Sequence, residues 1–396
     1  MSLRILLVTH HRTFKALGRA WRVGNVARAL TQAGHEVTVL CTADSARRGV
    51  RESDVDGFHL VETPDLLWGR QRSGWDPWNA WARARWLRGR QFDLVHAFET
   101  RPSVIHPLLG WLRRHPAPLV LDWCDWWGRG GLIVENRPAW YRLIFGGIET
   151  HYEEHYRARA AATTVIARGL AQRAAGLGVP PASIFWLPNG CWPDDLRPVD
   201  ARLHRAALGL PADDFLVGFN ALDVTVGFDL VLAGFTRAAA QNPRLTLVLT
   251  GRLPPAQLAQ LEAAQLGPRV RYLGFVPTAD YPRVLGSIDV FLLPFIDRPA
   301  NHGRWPGRIN DYLCVGRPVI TQPVGEMKIL LEQEAIGRLC AATPESVAAA
   351  LLELQARPDL CAAYGRRARE LAESVLSWRA LVPTLEAAYA HARATR

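Results

Sequence analysis

A chain of 396 residues is longer than one hydrophobic core usually serves, so two domains of ordinary size are expected. With 49% hydrophobic and 21% charged residues the sequence is neither disordered nor fibrous, and it contains no run of roughly 18 apolar residues of the kind that spans a bilayer. The formal net charge of +10 favours an anionic partner without choosing among nucleotide, lipid headgroup and nucleic acid, and because nearly all of it is arginine, a GC-rich coding sequence explains the bias equally well.

Met1–Thr9 carries one charge and passes directly into a short apolar run, without the longer apolar core and cleavage site of a secretory signal. The six cysteines, scattered from Cys41 to Cys361, lack the close spacing of a zinc or redox motif. A reduced, cytoplasmic compartment is the expectation.

Arg4–Thr9 is suited to a buried strand; Val23, Val26, Ala27 and Leu30 then recur at helical spacing up to Gly34, and Val37–Leu40 supplies the next strand. Such a strand-helix-strand unit implies a parallel sheet covered by helices. Further apolar runs at Leu94–Ala97, Leu119–Leu121, Thr164–Ile166 and Ile184–Leu187 continue the pattern. The stretch Pro188–Pro211, punctuated by Asn189, Gly190, Pro193 and Pro198, reads as a connection. A second series of strands follows at Leu216–Phe219, Leu245–Thr250, Val270–Leu273, Val290–Leu293 and Val319–Thr321. Leu381, Leu385, Ala388 and Tyr389 mark a closing helix. The predicted fold is α/β, with two doubly wound Rossmann-like domains at 1–195 and 196–377 and a terminal helix at 378–396 packed across a domain surface. Ligands are expected at the carboxyl ends of the strands, in a cleft between the domains.

The segment richest in chemistry is Pro294–Glu326. Pro306 suits the first turn of a helix and Gly316 the residue just past its end. Ile309, Tyr312 and Leu313 form its buried stripe, leaving Arg308 and Asp311 on another face. A helix opening at Pro306-Gly307 with Arg304 and Arg308 beside it makes a diphosphate cradle, and Asp311 one turn deeper can accept a ribose diol. An exposed helix with an ordinary Arg308–Asp311 surface pair accounts for the same residues.

Taken in order, several pieces resemble family 4 of the retaining glycosyltransferases, which have the GT-B fold. They are Arg4–Thr9 with Gly18 in the following loop, Ala33–Leu40, Phe92–Ala97, Leu187-Pro188-Asn189-Gly190, Arg271–Val276, Asp289–Pro294, Asp311–Val319 and Leu376-Ser377-Trp378. The resemblance implies transfer of a sugar from a UDP- or GDP-sugar donor to a carbohydrate or lipid-linked acceptor, as in polysaccharide biosynthesis. It implies no cofactor and no metal. Donor contacts are then expected at Gly18, Arg252, Phe275, Arg304, Gly307, Arg308 and Asp311, with the base against the backbone at Gly274-Phe275-Val276. Asp122 and Asp125 take the catalytic, acceptor-side place where relatives often carry a histidine, and the neighbouring tryptophans can stack on a sugar or fill the core.

Two departures stand out. Relatives usually carry two glutamates with seven residues between them at the diphosphate-facing helix; here the second position is Asp311 and the first is Gly303. The Arg and Lys that many relatives place after the strand ending at Phe219 are also missing. A sugar-nucleotide epimerase on the same fold, or a degenerate relative that binds a glycan or partner without turnover, are the competing functions. Trp68, Trp75, Trp78, Trp81 and Trp86, interleaved with Arg70, Arg72, Arg83, Arg85, Arg88 and Arg90, suit either an anionic membrane surface or a helix that buries its tryptophans and solvates its arginines. The former would place the protein peripherally on the inner membrane face. No nucleic-acid module is recognised.

Overall fold

The computed structural model describes residues 2–12, 22–44, 49–66, 74–221 and 227–395, the side chain of Arg202 excepted. In β1 (Arg4–Arg12), Ile5, Leu6 and Leu7 are all fully buried although they point to alternate faces. Burial on both faces belongs to a central parallel strand between two helical layers.

The chain divides into two compact units. The first comprises 1–189, 302–305 and 378–396, so it takes in the terminal helix and a four-residue loop from the second half. Its eight strands run β3-β4-β2-β1-β5-β6-β7-β8, with β2 Glu36–Thr42, β3 Arg51–Val55, β4 Phe58–Thr63, β5 Leu94–Phe98, β6 Leu119–Trp123, β7 Ala162–Val165 and β8 Ile184–Trp186. All the pairings are parallel except β3 with β4. That hairpin turns at Asp56-Gly57, both with positive φ (49° and 85°).

The second unit holds 190–301 and 306–377. Its six parallel strands run β11-β10-β9-β12-β13-β14, namely β9 Phe215–Ala221, β10 Leu245–Gly251, β11 Val270–Gly274, β12 Val290–Leu293, β13 Val319–Thr321 and β14 Gly337–Leu339. The boundary therefore falls at Asn189/Gly190 rather than at 195/196.

In each sheet the chain first winds one way and then reverses. The reversal lies between β1 and β5 in the first unit and between β9 and β12 in the second. Such switch points leave a crevice beyond the carboxyl ends of the strands, and open α/β sheets bind their ligands there.

The Pro77–Leu87 helix departs from a helix with all its arginines in solvent. Trp78 and Trp81 are exposed and Trp86 is buried, but Arg83 is fully enclosed and donates to the carbonyls of Thr9 and Ser103 and to the hydroxyls of Thr42 and Thr63. Trp68, Arg70 and Arg72 lie outside the described residues. No helix among the described residues is long and apolar enough to cross a membrane.

Candidate active site

At the first switch point, His10 and His11 lie next to the last residue of β1, Arg12, and β5 is followed by Glu99. Glu99 adopts φ 66°, an uncommon conformation for a residue with a side chain, and strain of this kind gathers at functional sites. Its Oε2 lies 2.8 Å from Nε2 of His10, and its Oε1 accepts from the Cys124 thiol at 3.3 Å. Burial acts to push the Glu99 carboxyl up, but His10, His11 and Arg101 together hold it well below the usual carboxylate range. His11 is pushed down to about 4 by burial and by His10. The fold thus assembles what the sequence did not show: the ligand atoms of His10, His11 and Glu99, and those of Glu99, Cys124 and Asp125, come within 4.8 Å of one another, close enough for a divalent cation to bridge.

Asp122 is the residue whose expected catalytic role the structure corrects. It lies in β6, in register with Phe98 of β5 and Thr164 of β7, and it is fully buried. Oδ1 accepts from Nε of Arg22 at 3.0 Å; Oδ2 accepts from Nη2 of Arg22 at 2.8 Å and from the Thr164 hydroxyl at 2.7 Å. The remaining Arg22 donors reach the carbonyls of Leu187 and Pro188 and Oδ1 of Asn189. Leu187, Pro188 and Asn189 are therefore held by a buried ion pair, and Asp122 offers no open oxygen to a substrate. His96 continues the network, lying between the hydroxyls of Thr164 and Tyr389, and burial pushes it down to about 4.

Asp125 is placed differently. Its side chain keeps 42% exposure and lies 3.7 Å from the Arg304 guanidinium. Desolvation by the surrounding protein, with Glu99 and Glu153 nearby, raises its carboxyl to about 7 against the pull of Arg304 and Arg22. Two carboxyl groups side by side with opposite shifts are the usual basis for dividing acid and base roles. Of the tryptophans in this loop, Trp123 is core and donates to Glu153, whereas Trp126 and Trp127 are half-buried.

Arg304 reaches Asp125 because residues 302–305 dock on the first unit. Trp305 packs edge-on to Trp186, with ring centroids 6.1 Å apart. A Cβ on Gly303 would lie 2.8 Å from Cβ of Trp126 and 3.1 Å from Leu170, so the space that the relatives' first glutamate would need is already filled. Asn301, two residues earlier, is buried and donates to the Ile296 carbonyl.

At the second switch point, the Arg308–Cys314 helix buries Ile309, Tyr312 and Leu313 as the spacing predicts, and Tyr312 stacks flat on Phe291. It has only seven residues, and the amides of Ile309 and Asn310 close onto the carbonyls of Pro306 and Gly307. Its dipole and free amides are therefore a weaker cradle than a long helix would give. Arg308 instead extends to the end of β9, where its guanidinium donates to the Asn220 carbonyl and lies 5.8 Å from the Phe219 ring centroid. A cation thus stands beside the strand whose following residues lack the relatives' Arg and Lys. Asp311 Oδ2 accepts from the Tyr281 hydroxyl at 2.9 Å, and Asn220 Nδ2 donates to that hydroxyl at 3.1 Å. No local sequence signal marks Tyr281; burial and Asp311 push its phenol well above its ordinary range.

Gly307 is exposed, with open space where a Cβ would stand. Arg252 is exposed just past β10, and Phe275, 71% exposed, follows the end of β11. Gly18 lies outside the described residues.

Residues 18–194 match the family profile described as Glycosyltransferase Family 4, and residues 216–357 the one described as Glycosyl transferases group 1. Over 220 residues the chain is 30% identical to a D-inositol 3-phosphate glycosyltransferase of Mycobacterium avium, a match covering 54% of this chain and 50% of that protein. The chain thus spans about half the length of the curated relatives it matches. Among solved structures, sucrose-phosphate synthase from Thermosynechococcus elongatus has a TM-score of 0.76 at 18% identity, covering 99% of this chain and 100% of the other. Anabaena HepE in complex with UDP and glucose has a TM-score of 0.68 at 15% identity, covering 97% and 98%. Likenesses at such identities speak for the fold alone. The two profiles fall in order on the two parallel-sheet units, so the chain carries a Glycosyltransferase Family 4 domain followed by a Glycosyl transferases group 1 domain.

Proposed function

We propose that the protein moves a hexose-like unit from a UDP- or GDP-sugar to a carbohydrate or lipid-linked acceptor, with retention and without a resident metal, at the cytoplasmic face of the membrane. The observation that carries this reading is Arg308, a fixed cation at the carboxyl end of β9 beside the Asp311–Tyr281 pair. A nucleoside diphosphate leaves with growing negative charge, and a cation already aimed at it stabilises the transition state. In this reading Arg308 meets the diphosphate with the Gly307 amide, Asp311 takes the ribose hydroxyls and Phe275 borders the base. Arg252 adds charge at the rim. Asp125, poised near neutrality, accepts or orients the acceptor hydroxyl, and Arg304 balances its charge. The complex of HepE with UDP and glucose favours uracil as the first base to try.

Thermal-shift measurements with UDP, GDP and ADP test the proposal. Stabilisation by one of the first two, lost in Arg308→Ala, is expected. No stabilisation by any of the three would instead support the degenerate, non-catalytic relative, a reading favoured by the filled space at Gly303. Turnover of donor with no acceptor other than water, giving a sugar epimer, would identify an epimerase. Activity that disappears with EDTA and returns with a divalent cation would overturn metal independence and direct attention to the His10, His11 and Glu99 group.

A further inference from the structure

The Ala139–Glu154 helix is mounted inside out. A surface helix normally buries its apolar stripe and turns its charges to water. Here the inward side carries Tyr141, Glu149, Thr150 and Glu153. Glu149 accepts from Arg101, from the Trp127 indole and from the Tyr141 hydroxyl; Glu153 accepts from the Trp123 indole and from the amides of Trp127 and Gly128. These bonds satisfy the buried acids and fix the rotation of the helix. The outward side then consists of Trp140 (60% exposed), Leu143 (87%), Ile144 (64%) and Ile148 (44%), at spacings of three and four residues, with Val134 of the preceding Leu132–Asn136 helix also exposed.

We propose that this face is a docking surface for an anionic lipid bilayer. The proposal deepens the lipid-linked side of the function proposed above and rests on it. Together the five side chains expose on the order of 500 Å² of apolar surface, a contiguous patch of the kind that marks an interaction site. That is less than the roughly 800 Å² a standard protein interface takes from each partner, and a convex helix face offers no groove for a peptide. It suffices for shallow insertion, in which a helix lies in the interface with its apolar side among the acyl chains.

Charge selects the lipid. Half-buried Arg142 lies on the same helix and exposed Arg129 and Arg159 precede and follow it, while the guanidinium of half-buried Arg137, in the connection, is turned over the Trp127 and Tyr141 rings. The acids nearby are Glu135 and Glu154, the latter paired with Arg173. The local excess of arginine has the same sign as the whole chain's +10. Arginine stems can lie along the membrane while their heads meet lipid phosphates, and a tryptophan at the start of such a helix suits headgroup depth.

The test is flotation of the full chain with phosphatidylcholine vesicles, with and without phosphatidylglycerol, at low and high salt. Wild type should float with the anionic vesicles and less so in salt, whereas Leu143→Asp/Ile144→Asp should lower the bound fraction by about tenfold or more. Leu203→Asp, at a 73% exposed leucine in the second unit, is the control expected to bind as wild type. Both altered residues of the double variant are solvent-facing, and an unchanged melting temperature and nucleotide shift would show that its fold and donor site are intact. The proposal fails if wild type stays with the soluble fraction, or if the double variant floats equally well. It also fails if the double substitution only converts a dimer to a monomer. Failure of the donor reading would appear separately, as absent nucleotide stabilisation in a protein that still floats.

Discussion

Arg22 and Asp122, a hundred residues apart in sequence, meet through two parallel hydrogen bonds of 3.0 and 2.8 Å where neither side chain is more than 8% exposed. The pair joins the Arg22–Gln32 helix to β6, and the other donors of the same guanidinium hold Leu187, Pro188 and Asn189.

Removing one partner of such a pair leaves an uncompensated buried charge. Asp122→Ala is therefore expected to lower unfolding free energy by about 3–5 kcal/mol in urea titrations, and Asp122→Asn, which keeps the acceptor oxygen, by less. If Asp122 acts by positioning, folded Asp122→Asn will lose activity in proportion to its misplacement of the Asp125 loop and keep the wild-type pH profile. A loss under about 1 kcal/mol for the alanine variant would contradict the buried-pair account.

Asp125 should set a pH limb. With its carboxyl raised to about 7, it is mostly protonated at pH 6 and mostly ionised at pH 8, so a role as proton acceptor makes kcat/KM rise through neutrality. Asp125→Asn is expected to cut kcat/KM by roughly 10²–10⁴ and abolish that limb. Glu99→Gln removes a neighbouring negative charge and should move the limb to lower pH; Arg304→Ala removes the cation and should move it higher. Linkage gives an independent readout. Because the folded chain holds this proton more tightly than the unfolded one, the associated stability is complete below the ordinary carboxyl range and is lost as pH rises through about 7. The melting temperature of Asp125→Asn relative to wild type should accordingly improve between pH 4 and pH 8.

The sheets were legible because a strand buried on both faces leaves an uninterrupted apolar run, as in Ile5-Leu6-Leu7-Val8. The β3–β4 hairpin leaves little trace in the sequence: Arg51-Glu52-Ser53-Asp54 is a polar edge, and Asp56-Gly57 is its only turn signal. β14 has only three residues, Gly337-Arg338-Leu339, too few for any period. In the site, the helix carrying Arg308 and Asp311 followed from local punctuation, whereas the partners of those residues depend on tertiary placement. Nothing in the sequence around Tyr281 announces Asp311, and nothing near Arg22 announces Asp122. Glu149 and Glu153 look like a solvent face until Trp123, Trp127 and Arg101 are brought beneath them.

The filled space at Gly303 makes restoring the relatives' glutamate a poor repair. A side chain there must displace Trp126 and Leu170, and overpacking of this kind usually costs about 1–3 kcal/mol. Gly303→Glu should melt earlier than wild type and gain no donor affinity. Tighter donor binding in this variant, measured by calorimetry, would mean that the loop moves away from Trp126 to admit the carboxylate.

Arg304 and Arg308, four positions apart, should separate cleanly in experiment. The first belongs to the loop docked on the first unit beside Asp125, the second to the unit containing β9. Charge-assisted hydrogen bonds contribute about 1.5–3 kcal/mol each, so Arg308→Ala should weaken nucleoside diphosphate binding by roughly 10- to 100-fold in calorimetry. Tyr281→Phe deletes the hydroxyl that donates to the Asp311 carboxylate; because it touches the nucleotide only through the orientation of Asp311, it should weaken binding by less, about two- to tenfold. Arg304→Ala should leave diphosphate affinity within about twofold of wild type, because its guanidinium lies beside the Asp125 carboxyl and lowers that group's proton affinity. Equal losses of affinity in the two arginine variants would show instead that both guanidinium groups grip the diphosphate, and would remove the basis for giving Arg304 to the acceptor side.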